Sequence, residues 1–179
     1  MHINDGILNP INPVTQTLNV TDLAVLITTW AITIPFLIFA WRKTKTAYPQ
    51  TKAPIIALMS ALVFVVQMLT FPVAGGTSVH VVGGTMLAMV LGPFPAMISM
   101  TIVLMMQALF FGDGGFIAFG ANALNMAIIG GLSFYIVKGL MGISTAKNRD
   151  RLVTSVFIAT FVSSILCALA TGIEVGLSS

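Results

Sequence analysis

The sequence predicts an all-α integral membrane protein, built as a bundle of about six transmembrane helices. Of its 179 residues, 57% are hydrophobic and only 7% are charged, whereas soluble domains carry roughly a quarter charged residues. The mean hydropathy is +1.01, and the stretch 53–112 contains no Asp, Glu, Lys or Arg. Because about 20 apolar residues are needed to cross a bilayer core, several spans must lie in that stretch.

Uninterrupted apolar runs place the spans along the chain. The third run is too short to cross as a straight helix, and the turn Gly92-Pro93-Phe94-Pro95 ends it, so we expect it to be tilted or partly re-entrant. No linker or repeat divides the chain, so residues 1–179 are predicted to form one transmembrane domain, with an N-terminal segment at 1–22 and a helical bundle at 23–179. The predicted spans lie near 23–41, 54–71, 80–91, 94–111, 119–138 and 152–174.

The basic residues flank the apolar runs in two small groups, one within 42–52 and one within 138–151. By the positive-inside rule both loops are cytoplasmic, which predicts a multi-pass protein of the cell membrane with its N-terminus on the outer side. Their grouping beside spans reports orientation in the lipid bilayer and gives no reason to expect nucleic acid as a partner. Residues 1–22 lack the pattern of a cleaved signal peptide, so Met1 is expected to remain.

Two histidines, His2 and His80, are then predicted on the same outer face of the membrane. A histidine directly after a free amino terminus can chelate a metal through the Met1 amine, the deprotonated His2 amide and the ring nitrogen nearest the backbone. The two chelate rings hold these three nitrogens almost coplanar. A fourth nitrogen would complete a square plane, the geometry typical of Ni(II) or Cu(II).

His80 lies between Gly75-Gly76 and Gly83-Gly84, and these glycines permit close approach of another segment such as an inserted N-terminus. The residues alone leave open whether the two histidines bind a metal together or are packed by ordinary hydrogen bonds. Asp5 and Asp113 are predicted on the same side, where they either favour a cation or are simply solvated.

Polar side chains in or beside the apolar spans have two readings, and those within the spans are Gln67, Gln107, Asn122 and Asn125. In lipid they form interhelical hydrogen bonds that join helices, or they orient metal-binding imidazoles, which usually donate their other ring hydrogen to a partner. Thr77, Ser78 and Asn125 are the candidates for the second role. The eleven methionines are scattered through the spans and are expected to pack rather than bind copper(I). The single Cys167 excludes a multi-cysteine metal site within one chain.

Four blocks carry a further signal: Met1-His2-Ile3-Asn4-Asp5-Gly6-Ile7-Leu8, then 67–80, 107–115 and 120–127. The second block ends in Gly75-Gly76-Thr77-Ser78-Val79-His80, and the third ends in Asp113-Gly114-Gly115. Together they cover most of residues 1–131 and closely resemble the CbiM/NikM type of cobalt and nickel transport proteins.

The resemblance implies the substrate-specific membrane component of an energy-coupling-factor importer. Its expected partners are a transmembrane coupling subunit, two ATPase subunits and often a small accessory membrane protein. It implies that the N-terminus inserts into the outer face of the bundle, and that Met1, His2 and His80 bind Co2+ or Ni2+ as the transported substrate. Members usually have seven spans, so the shorter span count here leaves the C-terminal topology and the coupling contacts open.

The chain is interpreted as a transporter subunit rather than an enzyme. No Gly-x-x-x-x-Gly-Lys-Ser/Thr phosphate loop occurs, so the ATPase would be another chain. A metal-dependent membrane enzyme is one alternative, although two histidines without a nearby pair of carboxylates offer little acid-base chemistry. A purely structural membrane subunit, whose histidines only pack, is the other.

Overall fold

The membrane-spanning body of the protein is helical, as the sequence predicts. In the computed structural model, four helices among the described residues are long and apolar enough to cross a membrane: Val20–Thr46, Pro93–Phe111, Phe119–Met141 and Asp150–Leu177. A shorter apolar helix covers Ala53–Gln67. The structure describes residues 2–11, 18–47, 53–69, 71–73, 77–79, 82–141 and 149–178.

Helices follow one another along most of the described residues, with a π-helical stretch at Ala123–Ile128. Proline stands at the start of the helix Pro93–Phe111, where its missing N–H costs nothing, and the left-handed Gly112 ends that helix. The helices are α1 Val20–Ala47, α2 Ala53–Gln67, α3 Gly84–Leu91, α4 Pro93–Phe111, α5 Phe119–Asn122, α6 Ile129–Met141 and α7 Arg149–Leu177.

Two of the predicted spans extend beyond the observed helices at one end. The second ends at Gln67 instead of 71, because Phe71–Val73 forms a strand. Pro72 opposes helix at the end of the predicted span, since a proline disfavours helical backbone at the residue before it, Phe71. The third begins at Gly84 instead of 80, and its eight residues make it too short to span, as expected.

A small antiparallel sheet is the feature that the all-helical prediction lacks. Strand β1, His2–Ile3, pairs with β3, Thr77–Val79, and β3 also pairs with β2, Phe71–Val73, so the order is β1-β3-β2. The register places His2 opposite Ser78 and Ile3 opposite Thr77. The N-terminus is therefore joined to the segment between α2 and α3 by strand pairing.

The short helix α3 packs closely against α6. A Cβ added at Gly84 would lie 2.8 Å from the Cα of Gly130 and 2.9 Å from the backbone oxygen of Met126. Small residues permit such approach of two helices in a membrane. Gly84 thus serves internal packing, whereas a Cβ added at Gly172 on α7 would meet open space.

Helix α1 fixes the position of α5. The hydroxyl of Thr33 donates to the backbone oxygen of Gly120 at 2.9 Å, and the indole of Trp30 covers the same glycine so closely that no Cβ would fit there. Interhelical hydrogen bonds of this kind replace the water that the bilayer lacks. The end of the bundle where α5 begins is therefore a fixed platform for the N-terminal segment.

Candidate functional site

The N-terminal segment is held on the bundle by the side chain of Asn122. Its Oδ1 accepts from the backbone N–H of Ile3 at 2.8 Å, and its Nδ2 donates to the backbone oxygen of Ile3 at 3.0 Å. The same Nδ2 donates to the backbone oxygen of Gly114 at 2.8 Å. One buried amide thus binds both the N-terminal strand and the loop after α4, and it uses both of its functional groups.

Asp5 forms a second attachment a few residues further along. Its two carboxylate oxygens accept the backbone N–H groups of Phe116 and Ala118, each at 2.9 Å, just before α5 begins. Backbone N–H groups at a helix start lack partners within the helix and attract negative charge. Asp5 is therefore neither a free loop charge nor an open cation ligand in this structure. It connects the N-terminal segment to the start of α5.

The apolar side chains of the segment complete the docking. Ile3 and Leu8 are fully buried, and they pack with Val25 and Leu26 of α1 and with Ala118. Each fully buried aliphatic side chain contributes about 1.5–3 kcal/mol relative to exposure to water. The segment is thus an integral part of the fold rather than a surface tail.

His2 lies at the centre of this arrangement with only 1% of its surface exposed. Its Nδ1 lies 3.0 Å from Oδ2 of Asp113. The left-handed Gly114 passes directly over the ring, and a Cβ added there would lie 3.3 Å from Cγ of His2. A buried histidine in contact with an aspartate, beside the outer loop predicted from the sequence, is the strongest chemical feature of this end of the molecule.

The other predicted ligands are described less fully. Met1 and His80 lie outside the described residues. Thr77 and Ser78 are placed by their backbone pairing with β1, and their side-chain positions lie outside the described part of the structure. The register sets His2 beside Ser78, which precedes His80 by two residues in the sequence.

Asn125 contacts α7 through its side chain. Its Nδ2 donates to Oε2 of Glu174 at 2.6 Å and to the hydroxyl of Thr171 at 3.3 Å, and the thiol of Cys167 donates to its backbone oxygen at 2.7 Å. These bonds join the π-helical stretch to α7. Asn125 thus forms interhelical hydrogen bonds, one of the two roles that the sequence analysis gave to such side chains. Glu174, only 7% exposed near the end of α7, is a buried carboxylate that the sequence analysis did not single out.

The two glutamines predicted within spans contact one another. Nε2 of Gln107 donates to Oε1 of Gln67 at 3.2 Å, and Nε2 of Gln67 lies 3.8 Å from the sulfur of Met100. All three residues are fully buried. They connect α2 with α4, which matches the interpretation of such residues as hydrogen bonds between helices.

The contacts of Asn122 and Asp113 with the N-terminal segment are what the sequence analysis did not recover. The pattern marked Asn122 only as a polar residue in an apolar span, and Asp113 only as an outer aspartate.

Within the described part of the chain, no group of three or more His, Cys, Asp or Glu side chains is close enough to hold a metal ion. A metal site here therefore needs ligands from the backbone or from beyond the described residues.

The fold and this site define a class: a helical membrane protein whose N-terminus is docked into one end of its bundle and carries a buried histidine. Residues 2–179 match the family described as cobalt uptake substrate-specific transmembrane region, CbiM. The chain belongs to the CbiM family.

The chain is also similar to proteins that are named as metal transport proteins. The fused nickel transport protein NikMN of Rhodobacter capsulatus is 36% identical over 98% of this chain and 47% of its own length. The cobalt transport protein CbiM of Thermosipho melanesiensis is 30% identical over 99% of this chain and 68% of its own length. The matched region is only 47%, 36% and 42% of the length of three fused nickel transport relatives. The chain therefore spans about a third to a half of those proteins.

A solved structure described as a truncated transition metal transporter has the same fold. It superposes with a TM-score of 0.80 at 36% sequence identity, over 99% of this chain and 75% of that one. The membrane architecture is therefore shared with a transporter of transition metals.

Proposed function

We propose that this chain is the substrate-binding component of an ATP-driven energy-coupling-factor importer for a divalent transition metal, cobalt or nickel. The observation that carries the proposal is the N-terminus docked into the bundle, with His2 buried at its centre. Membership of the CbiM family and the cobalt and nickel names of the relatives support the same cargo. Residues 1–179 would act as one transmembrane metal-binding domain, with 1–22 as its metal-binding segment.

The proposed ligands are the Met1 amine, the His2 amide, His2 Nδ1 and the imidazole of His80. Strand pairing supports this set, because it holds β1 against the strand that leads into His80. A chelating amine must be the first atom of the chain and must stay at a fixed distance from its ring. The hydrogen bonds of Asn122 and Asp5 support this set, because they hold the residues that directly follow His2.

Ni2+ and Co2+ can both bind to the proposed donor set, but with different preference. A plane of four nitrogens with a deprotonated amide favours nickel over cobalt, and the Irving-Williams order points the same way. Relatives named for nickel and for cobalt share this part of the chain. The proposal therefore covers Co2+ and Ni2+ as substrate.

Transport requires energy from partners, since the sequence contains no phosphate loop. The proposed assembly includes a transmembrane coupling subunit, two ATPase subunits and a small accessory membrane protein. The N-terminus lies on the outer side, as the basic loops at 42–52 and 138–151 predict. The site captures the ion there, and a reorientation driven by the ATPases releases it inward.

The decisive experiment alters the one ligand that no side-chain substitution reaches. Adding a residue ahead of Met1 converts its amine into a peptide nitrogen and moves the new amine out of chelating position. Nickel and cobalt binding, measured by calorimetry on the purified protein, should be lost with an N-terminal extension and return after cleavage that regenerates Met1.

A C-terminal extension of the same length is the matched control and should leave binding unchanged. Tight binding by the N-terminally extended protein would eliminate the amine-amide chelate. Absence of binding in every form would favour the purely structural alternative, and turnover of a substrate without partners would favour a metal-dependent membrane enzyme.

A further inference from the structure

Glu174 is a buried acidic residue that has no part in the proposed metal site. It lies near the end of α7, inside a helix long and apolar enough to cross the membrane, and only 7% of its surface is exposed. All eight Lys and Arg residues of the sequence lie within 42–52 and 138–151, at or near the other end of the bundle. The side chain therefore depends on uncharged hydrogen-bond donors. An acidic residue inside a membrane span is costly to bury and usually has a function.

Asn125 supplies the donor for Glu174. Its Nδ2 donates to Oε2 of Glu174 at 2.6 Å and to the hydroxyl of Thr171 at 3.3 Å. Its backbone oxygen accepts from the thiol of Cys167 at 2.7 Å. The three partners are four and three residues apart, so they lie on one face of α7. Both the side chain and the backbone of the fully buried Asn125 are thus attached to that face.

The attachment falls within the π-helical stretch Ala123–Ile128, three residues after Asn122. At the end of this stretch the N–H of Ile129 donates to the backbone oxygen of Leu124, five residues earlier. In an α-helix, two residues three apart are neighbours on one face. A π-helical turn holds more residues, so it turns such side chains further apart. The wider winding lets Asn122 reach the N-terminal segment while Asn125 reaches α7.

The same end of α7 also contacts the N-terminal segment directly. Val175, the residue after Glu174, packs against the cluster that contains Ile3 and Leu8. Helix α7 contacts both the π-helical stretch and strand β1. Two routes therefore connect this end of α7 with the N-terminal segment: an apolar contact, and a polar route through Asn125 and the π-helical stretch.

We infer that Glu174 is a positioning residue for the N-terminal segment. Its hydrogen bond with Asn125 holds the π-helical winding, and that winding directs the amide of Asn122 towards Ile3. Without this bond the stretch is free to adopt the far commoner α-helical winding, which turns Asn122 away from Ile3. The docking of the segment does not depend on a metal, whereas an effect of Glu174 on metal affinity rests on the proposed function.

Hydrogen exchange at the backbone N–H of Ile3, which donates to Asn122, tests this route. It is measured by NMR on the intact, metal-free chain in detergent. Glu174→Ala should accelerate this exchange at least about fivefold, the lower end of typical coupling between two sites. Asn125→Ala should cause a similar increase. Glu174→Gln keeps an oxygen acceptor for Asn125 and should leave the exchange close to that of the parent chain.

A double variant separates this route from a general loosening of the bundle. Asn122→Ala already removes the acceptor of the Ile3 N–H, so adding Glu174→Ala to it should accelerate the exchange little further. Substitutions within one hydrogen-bond network are not additive, whereas independent effects add. Ser164→Ala is the matched control on α7, because its hydroxyl donates to the backbone oxygen of Thr160 within the same helix. It should leave the exchange at Ile3 unchanged.

Parental exchange at Ile3 in Glu174→Ala and Asn125→Ala would overturn the positioning role and leave the proposed function intact. Equal acceleration by Glu174→Ala and Glu174→Gln would also overturn it, as would an additive effect in the double variant. Unfolding temperatures show which variants keep the fold. If Glu174→Ala does not fold, Asn125→Ala and Glu174→Gln decide the question by the same criteria.

Nickel calorimetry on the same variants tests the proposed function separately. If the N-terminal segment binds the ion, Glu174→Ala should bind nickel at least about fivefold more weakly, and Glu174→Gln should bind it like the parent chain. Faster exchange at Ile3 with unchanged nickel affinity would contradict the role of the segment in metal binding, but not its positioning by Glu174. A parent chain that binds neither nickel nor cobalt would overturn the proposed function alone.

Discussion

The side chain of Asn122 pairs with the backbone of Ile3 in both directions, as a neighbouring strand would. Its amide accepts at 2.8 Å and donates at 3.0 Å across a separation of 119 residues in the sequence. Since Ile3 follows the proposed chelating residue directly, this contact determines where His2 lies. A residue outside the proposed ligand set thus positions the segment that we propose to bind the metal.

Replacing Asn122 with alanine should weaken metal binding and lower the unfolding temperature. The change removes the two hydrogen bonds that Asn122 forms with the backbone N–H and oxygen of Ile3. Each buried polar group left without a hydrogen bond lowers the stability by about 1–3 kcal/mol. We expect at least about tenfold weaker binding of Ni2+, which corresponds to about 1.4 kcal/mol. Calorimetry and thermal unfolding measure the two effects. Asn9→Ala, which removes an exposed bond to Ile11, is the control, and equal behaviour of both variants would contradict the positioning role.

Gly115→Ala should displace the N-terminal segment from α5. A Cβ at this position would overlap the carboxylate of Asp5, and φ of +57° is unfavourable for any residue with a side chain. Loss of the two hydrogen bonds that Asp5 accepts from Phe116 and Ala118 should make residues 2–11 accessible to protease and reduce metal affinity. Gly6→Ala is the matched control, since nothing lies within 4 Å of its added Cβ. Resistance of the Gly115→Ala segment to proteolysis would disprove this attachment.

His80→Ala should give a folded protein with much weaker affinity for nickel and cobalt. The proposed site takes its fourth nitrogen from His80, and the N-terminus cannot replace that donor. Calorimetry on the purified variant measures the loss, and an unchanged unfolding temperature of the metal-free protein excludes a general defect. Unchanged binding of both ions would remove His80 from the site.

Metal affinity should fall as the pH is lowered. The proposed ligands bind only when the imidazoles and the amine are neutral and the amide is deprotonated, so protons compete with the ion. An ordinary imidazole is mostly neutral at pH 8 and mostly protonated at pH 5. Binding should therefore be at least about tenfold weaker at the lower pH. Equal affinity at both values, measured in buffers of the same ionic strength, would point to oxygen ligands alone.

Gly84→Ala should destabilise the bundle by separating α3 from α6. The added methyl would meet backbone atoms of Gly130 and Met126 at 2.8 and 2.9 Å, and overpacking of this kind costs about 1–3 kcal/mol. Thermal unfolding in detergent measures the loss. Gly139→Ala on α6, where nothing lies within 4 Å, should leave stability unchanged or raise it. Equal unfolding temperatures for the two variants would show that α3 and α6 adjust without cost.

The sequence by itself determined the membrane class and, to within a few residues, most helix ends. These features depend on local properties: the length of apolar runs and the prolines at the start of α4. The resemblance to CbiM proteins also came from local blocks, and the family match over residues 2–179 confirmed it.

Only the tertiary structure decided which residues hold that N-terminus. The pairing of His2 with Ser78, the bonds of Asn122 to Ile3 and the contact of His2 with Asp113 join residues that lie far apart in the sequence. Hydropathy and residue spacing describe only short stretches of sequence, so they do not indicate which helix ends meet in the folded protein. That choice follows from the packing of α1, α4 and α5, because it sets where the loop after α4 and the first strand come together.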